Sequence, residues 1–359
     1  MKRVTIVMVL CALLVTPVAV SAATAPSSNV VADAEWTLSA QLADGAIAHY
    51  TDRLQVWPYL ANYAAMGLAR AAEVSGNGRY SDAAWRWLSW YQAHEDSNGY
   101  VTHYVVAPDG SLTSKGDMDS TDAYAGTFLL AARRTWLATS DRSRLTAVAS
   151  GIRGAVRAIT STQDVDGLTW AKPTWRVKYL MDQGEAYGGL QAAAELGRAL
   201  SDNGLVKTAT SAAQKMAKGV SGLWNPSTGA YDWAVHDTGT RRAAAWSVLY
   251  PDAQQQMWAV AFGLTSGSRA GQLVSHFDAS HPRWDQPAST DMFAAGTETV
   301  GYWPVTGWAY ARVGQQSRAL AGADNIHAAA MAVSRAWPFT TATAGQLITL
   351  ESSDPRSSP

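Results

Sequence analysis

Apolar residues along most of this chain recur at helical rather than strand spacing. Over 120–139, Ala125, Phe128, Leu129 and Ala132 fall at i, i+3, i+4 and i+7, one face of a helix. The same pattern predicts helices over 35–50, 57–75, 80–95, 120–139, 142–162, 183–201, 205–224, 253–266, 269–277, 298–313 and 317–337. Linkers carrying Gly, Asp, Asn and Trp separate them. Alternating Val-rich runs are scarce. The best strand candidate, 100–106, turns through Pro108-Asp109-Gly110 toward Leu112, which predicts a small hairpin at one mouth of the helical body. Residues 340–350 carry little helical pattern, so 340–359 are expected to be a C-terminal tail.

The N-terminus has a different pattern. Lys2 and Arg3 precede an apolar run over 4–14, and Val20-Ser21-Ala22 offers small residues for cleavage. That layout predicts a signal peptide over 1–22 and a secreted protein, because the apolar run is too short to span a bilayer comfortably. No later segment is apolar for long enough to cross, so no membrane contact is expected after cleavage.

An internal repeat organises the remainder, residues 23–339. Met118-Asp119-Ser120-Thr121-Asp122-Ala123-Tyr124-Ala125-Gly126 aligns without gaps on Met181-Asp182-Gln183-Gly184-Glu185-Ala186-Tyr187-Gly188-Gly189. Pro251-Asp252-Ala253-Gln254-Gln255-Gln256-Met257 is a weaker echo, with Gln in place of the second acid. Trp57 and Tyr302 open further helices at compatible spacing. A period of this length suits a helical hairpin plus a long loop, a unit that must stack on neighbours to bury its apolar face. Four to five repeats are visible, and the first helix is a candidate for completing the ring.

Paired helices, acids at inner-helix starts such as Asp119-Ser-Thr-Asp122-Ala-Tyr124, and aromatic loops resemble the six-hairpin glycosidase-like superfamily. The resemblance implies an all-α (α/α)₆ toroid. It also implies an inverting hydrolase of a polysaccharide or oligosaccharide, with some lyases sharing the ring. The Ser-Glu-Gly-x-Gly-Tyr motif of the bacterial endoglucanases and chitosanases is absent; Gln183-Gly184-Glu185-Ala186-Tyr187 only echoes it.

The repeated acids support two readings. Asp-x-x-acid at a helix start is a capping box, in which Asp119, Asp182 or Asp252 would accept first-turn N–H groups. In a toroid, however, the inner helices start at one mouth, and acids from neighbouring helices converge there. Glycoside hydrolysis with inversion needs two carboxyls roughly 6.5–9.5 Å apart, one kept protonated by its surroundings. The expected acid–base pair is drawn from Asp119, Asp122, Asp182 and Glu185, with Glu185 as acid and Asp122 as base, because the capping Asp would leave the second acid free to face the cavity. Tyr124 and Tyr187, five residues after the repeated Asp, would hydrogen-bond sugar hydroxyls. Trp170, Trp175, Trp233, Trp57 and Trp303 are candidate sugar-stacking faces, with Lys172 and Asp252 as polar contacts. Trp85, Trp136, Trp224 and Trp337 read as core.

Composition narrows the chemistry. The only cysteine is Cys11, inside the signal, so the mature chain has no disulfide and no thiolate nucleophile. Net charge is −1 for the whole chain and no basic stripe is visible, which argues against a nucleic-acid partner. No zinc-protease His pattern, Gly-x-Ser-x-Gly elbow or phosphate loop occurs, so neither a metal nor a cofactor is expected. Asp164-Val-Asp166-Gly167 resembles only the start of a calcium loop. Two other readings remain. A polysaccharide lyase would draw on Lys172, Arg176, His103 or His236, and a non-catalytic glycan binder would use the boxes only as caps. The oligomeric state is not legible.

Overall fold

A computed structural model describes residues 26–287 and 301–352. The helices are α1 (Ser28–Ser39), α2 (Pro58–Ser75), α3 (Gly78–Ala93), α4 (Thr121–Thr139), α5 (Arg142–Ala147), α6 (Ala149–Thr162), α7 (Leu180–Leu200), α8 (Asn203–Ser221), α9 (Gln254–Ala261), α10 (Gly267–Ser280), α11 (Val305–Arg312), α12 (Gln316–Ala332) and α13 (Thr341–Glu351). Six of them, α2, α4, α7, α9, α11 and α13, pack in that order around a closed inner ring, α13 returning to α2. Outside it, α1, α3, α6, α8, α10 and α12 each cover one inner neighbour or two. This is an (α/α)₆ toroid.

The repeat's terminal glycines are packing devices. A Cβ on Gly126 would stand 2.5 Å from the backbone oxygen of Glu185, and one on Gly189 would stand 2.5 Å from the Cα of Gly126. α4 and α7 therefore touch backbone to backbone, which brings their acidic first turns together.

Two expectations about the chain's ends change. Residues 341–351 are not a tail but the sixth inner helix; all of Thr341–Leu350 is buried. A helix buried on every side has no amphipathic stripe, so periodicity does not reveal it. The first helix does not complete the inner ring. It lies outside, starts at Ser28 with Ser27 as its cap, and ends at Ser39, while 40–50 form turns joined by a Gln41–Ile47 bridge. The signal segment 1–22, the start of the helix expected over 298–313, and residues 353–359 lie outside the described residues. Among those described, no helix is long and apolar enough to cross a membrane.

Ring closure carries a charge cluster joining distant parts of the chain. Asp33 of α1 receives Arg335 Nε and Nη2 at 3.1 and 2.7 Å. His327 of α12 pairs with Glu351 of α13 at 2.5 Å and lies 3.7 Å from Asp33. Burial pulls the His327 pKa down, but its bond to Glu351 and the charges of Asp33 and Glu351 outweigh that and hold it above the ordinary value. A histidine raised on folding stabilises fully below its unfolded pKa of about 6.5, and that contribution is lost as pH rises through the folded value. Melting temperature should therefore fall as pH rises above about 6.5, more steeply in the wild type than in His327→Gln. Parallel slopes would remove His327 from the closure.

Short strands sit at the ring's ends. Tyr104–Val106 pairs antiparallel with Leu112–Ser114, the expected hairpin, and Gln55–Val56 adds a third strand. Val177–Tyr179 pairs with Ala234–His236 ahead of α7.

Candidate active site

The first turns of the inner helices, with the segments leading into them, enclose two joined cavities. The larger, of about 480 Å³, is lined by Tyr59 and Leu60 of α2, Ala123 and Tyr124 of α4, Trp258 of α9, Tyr302 and Trp303 before α11, and Ala342, Thr343 and Gln346 of α13. The second, of about 380 Å³, reaches outward past Trp175, Tyr179 and Trp233. Asp119, Ser120, Met181, Asp182 and Tyr250 border both, so the acids of α4 and α7 stand at the junction.

The repeat does not act as a capping box. Ser120, not Asp119, is the cap of α4, accepting Ala123 N–H. α7 starts at Leu180, and Tyr179 before it makes no side-chain cap, so Asp182 lies inside the first turn. The Met181 N–H is taken instead by Gln255 Oε1 from the neighbouring repeat, at 3.0 Å. α4 therefore starts one residue later than a cap at Asp119 would set, and α7 three residues earlier than a cap at Asp182 would set. The first acids, Asp119 and Asp182, line the cavities; the second acids, Asp122 and Glu185, are wholly buried beneath them and line neither.

Asp122 is fixed by Ser120 Oγ at 2.6 Å, Ala123 N–H at 2.9 Å and Thr169 Oγ1 at 2.5 Å. Burial raises its pKa to about 6 against those bonds. Glu185 Oε1 accepts Tyr59 Oη at 2.6 Å, Tyr63 Oη, and Trp258 Nε1 at 3.1 Å, while Oε2 has no hydrogen-bond partner among the described residues. Burial outweighs these donors and pushes its pKa up to about 8. Glu185 ties together two cavity walls, Tyr59 and Trp258.

Asp182 is held well above the usual carboxylate range, by burial first and then by the charges of Asp122, Glu185 and Asp119. Solvent in the cavity reaches Asp119, although protein surrounds it; desolvation raises its pKa, Lys172 opposes, and Asp117 adds. Two neighbouring acids of unequal burial are the arrangement that separates a proton donor from a proton acceptor.

The other expected residues divide. Trp175 is 54% exposed and donates Nε1–H to Tyr179 Oη at 3.0 Å. Trp233 stacks on Tyr179 with centroids 6.2 Å apart. Both line the outer cavity. Trp303 lines the inner one and stacks on Tyr250 at 5.7 Å. Trp57 lines it too, but His49 and His103 cover its two faces at 5.1 and 5.2 Å, so it offers a sugar only an edge. Tyr124 lines the cavity, bonds His103 Nε2 and lies 3.4 Å from the Asp119 N–H.

Four expected contacts are placed elsewhere. Trp170 is covered by Lys178 Nζ at 4.0 Å and Arg176 at 4.8 Å, and lines neither cavity. Lys178 also bridges Asp164 and Asp166 at 2.8 and 2.7 Å, so an ammonium fills the supposed calcium loop. Lys172 binds Asp117 Oδ1 and Met118 O at 2.7 and 2.6 Å, fastening the segment before Asp119. Asp252 accepts Ala245 N–H at 2.8 Å and shapes the turn before α9. Tyr187, two turns into α7, opens on a different pocket beside Arg133 and Arg312. Trp337, expected in the core, is 43% exposed.

Sequence reasoning passed over Ser120, Tyr59, Tyr250 and Trp258. Tyr59 and Tyr63, one helical turn apart just after Pro58, were the available signal. His103 was considered only as a lyase base; burial depresses its pKa to about 4, so it is a neutral wall residue. Neither Arg nor Lys is among the described residues lining the two cavities.

No protein-family profile and no curated protein matches the sequence. Solved structures do. A GH63 mannosylglycerate hydrolase from Thermus thermophilus, in complex with glucose, superposes with a TM-score of 0.65 at 10% identity, over 90% of this chain and 99% of that one. A glycosidase variant in complex with glucose gives 0.62 at 15%, over 90% and 95%. A GH78 rhamnosidase of Bacillus sp. GL1 gives 0.59 at 12%, over 91% of this chain and 35% of that one. These neighbours are glycoside hydrolases, and the chain shares their fold, an (α/α)₆ toroid.

Proposed function

We propose that this protein is an exported glycoside hydrolase acting on an uncharged oligosaccharide or polysaccharide, with Asp182 as general acid and Asp119 as general base. The observation that carries this reading is the junction itself. Two carboxyls in unlike surroundings border both of two joined aromatic cavities, where a glycosidic bond between sugars in the two lobes would lie. Apolar sugar faces meet Trp175 and Trp233 outside and Tyr250, Trp258 and Trp303 inside, as pyranose C–H surfaces require.

Asp182 gives its proton to the glycosidic oxygen as the bond to the anomeric carbon breaks. A water attacks that carbon from the opposite face and loses a proton to Asp119, so the product carries the inverted configuration. The solvent access of Asp119 supports water, rather than a carboxylate, as nucleophile. Proton NMR of the first-formed sugar during hydrolysis of a glycan panel checks this; a product of retained configuration would turn Asp119 into a nucleophile.

A further inference from the structure

Asp122 and Asp182 meet through one hydroxyl, and counting hydrogens around it decides which acid is charged. Ser120 Oγ lies 2.6 Å from Asp122 Oδ1 and 3.1 Å from Asp182 Oδ2, and accepts Ala123 N–H at 3.4 Å. A serine hydroxyl has one hydrogen and two lone pairs. It can donate to only one of the two carboxyls, and the other meets a hydroxyl lone pair unless it carries a hydrogen of its own.

Two arrangements satisfy that count, and the remaining donors separate them. Ala123 N–H reaches Asp122 Oδ1 at 2.9 Å; Thr169 Oγ1 lies 2.5 Å from Oδ2 and 3.0 Å from Gln183 Oε1, and because that amide oxygen already accepts Thr169 N–H at 2.8 Å, the shorter contact takes the hydroxyl hydrogen. Hydroxyl bonds to an ionised carboxylate run at about 2.5–2.7 Å, and both hydroxyl contacts of Asp122 fall there. Asp182 has only the 3.1 Å contact with Ser120 among the described residues. Were Asp122 the neutral acid, its three converging donors would surround a group without charge, and the anion would sit on Asp182 with a single long bond. Donors converging on a carboxylate favour its charged form, so the charge belongs on Asp122.

We propose that Ser120 and Asp122 are positioning residues: Asp122 holds the negative charge, Ser120 commits its only hydrogen to it, and Asp182 is left as the carboxyl that carries the proton. This rests on the reading of Asp182 as general acid. Once Asp182 has given up its proton, one hydroxyl hydrogen stands between two carboxylates. That arrangement is unfavourable and draws a proton back from solvent before the next turnover. The groups facing Asp182 reinforce the effect. They are Asp119, Asp122 and Tyr124 from the α4 side, Glu185 from α7, and Tyr179 and Tyr250 from the segments leading into α7 and α9.

The test follows the alkaline limb of kcat/KM against pH, which reports loss of the acid's proton, in Asp122→Asn, Ser120→Ala and Ser120→Thr. Removing the neighbouring anion, as in Asp122→Asn, should lower that limb by about one pH unit or more. Ser120→Ala should also displace it, and Ser120→Thr should restore it. A limb that stays in place while the rate falls at every pH would reduce both residues to packing and overturn the proposal. Infrared spectra of protein labelled with ¹³C-aspartate give a second readout, independent of activity and blind to Glu185. A neutral-carboxyl band at pH 7 should vanish in Asp182→Asn. A band that survives in Asp182→Asn overturns the proposal even if the Asp122 variant fails to fold. Should the band map to Asp182 while no glycan is hydrolysed, the proton assignment stands and the hydrolase reading fails.

Discussion

Asp182→Asn should lower turnover by roughly two to four orders of magnitude on a glycan with an ordinary sugar leaving group, the usual weight of a general acid. The carboxamide keeps the shape of the side chain but has no proton of comparable acidity to give. The deficit should depend on the leaving group. An aryl glycoside with a strongly acidic phenol departs without protonation, so the variant should recover most of the wild-type rate on it. Stability should change little, because Asp182 is not the cap of α7. A uniform loss on both kinds of substrate would make Asp182 a binding or structural group instead. Near-normal turnover on both would place the chemistry elsewhere.

The toroid was legible because its units repeat. The match of 118–126 on 181–189 marks two consecutive inner helices, and the glycine that ends each copy lets those helices meet backbone to backbone. α13 was illegible for a physical reason: with Thr341–Leu350 buried all round, it has no polar face to give it a period. The four acids were legible as a group at neighbouring helix starts, but not which of them face the cavities. Which acid caps and which faces the cavity depends on where each helix starts, and Ser120 captures the cap of α4 from Asp119. The cap falls one residue later than expected in α4 and three residues earlier in α7, and in both helices the second acid is the wholly buried one. The aromatic rim was only partly legible. A tryptophan in a loop is a stacking platform only if its faces are free, and His49, His103, Lys178 and Arg176 cover Trp57 and Trp170 from distant parts of the chain or across a turn.

Glu185 illustrates how the second acids serve the first. Its carboxyl gathers Tyr59, Tyr63 and Trp258, so residues from α2, α7 and α9 are held at fixed separation around the cavity floor. Its charge also acts on Asp182 one turn above it. A buried acid of this kind shapes the pocket and the electrostatics of the proposed proton donor without lining either cavity.

Asp119→Asn should be as severe as the loss of the acid, about two to four orders of magnitude, but with the opposite pattern of rescue. Without a base, water attacks slowly whatever the leaving group, so an activated aryl glycoside should not restore the rate. Azide needs no deprotonation to attack. Added to the variant, it should restore turnover and give a glycosyl azide of inverted configuration. The pH profile should change on the other side as well. Ionisation of Asp119 sets the acidic limb, since a protonated carboxyl cannot accept from water, and that limb should disappear in the variant. Desolvation and Asp117 raise the Asp119 pKa while Lys172 opposes them. In the wild type Lys172→Met should therefore move the acidic limb to higher pH, and an unmoved limb would assign it to another group. If azide gives the retained product, another carboxylate is the nucleophile of a double displacement and Asp119 is not the base of an inverting reaction; if it gives no product, Asp119 is not the base.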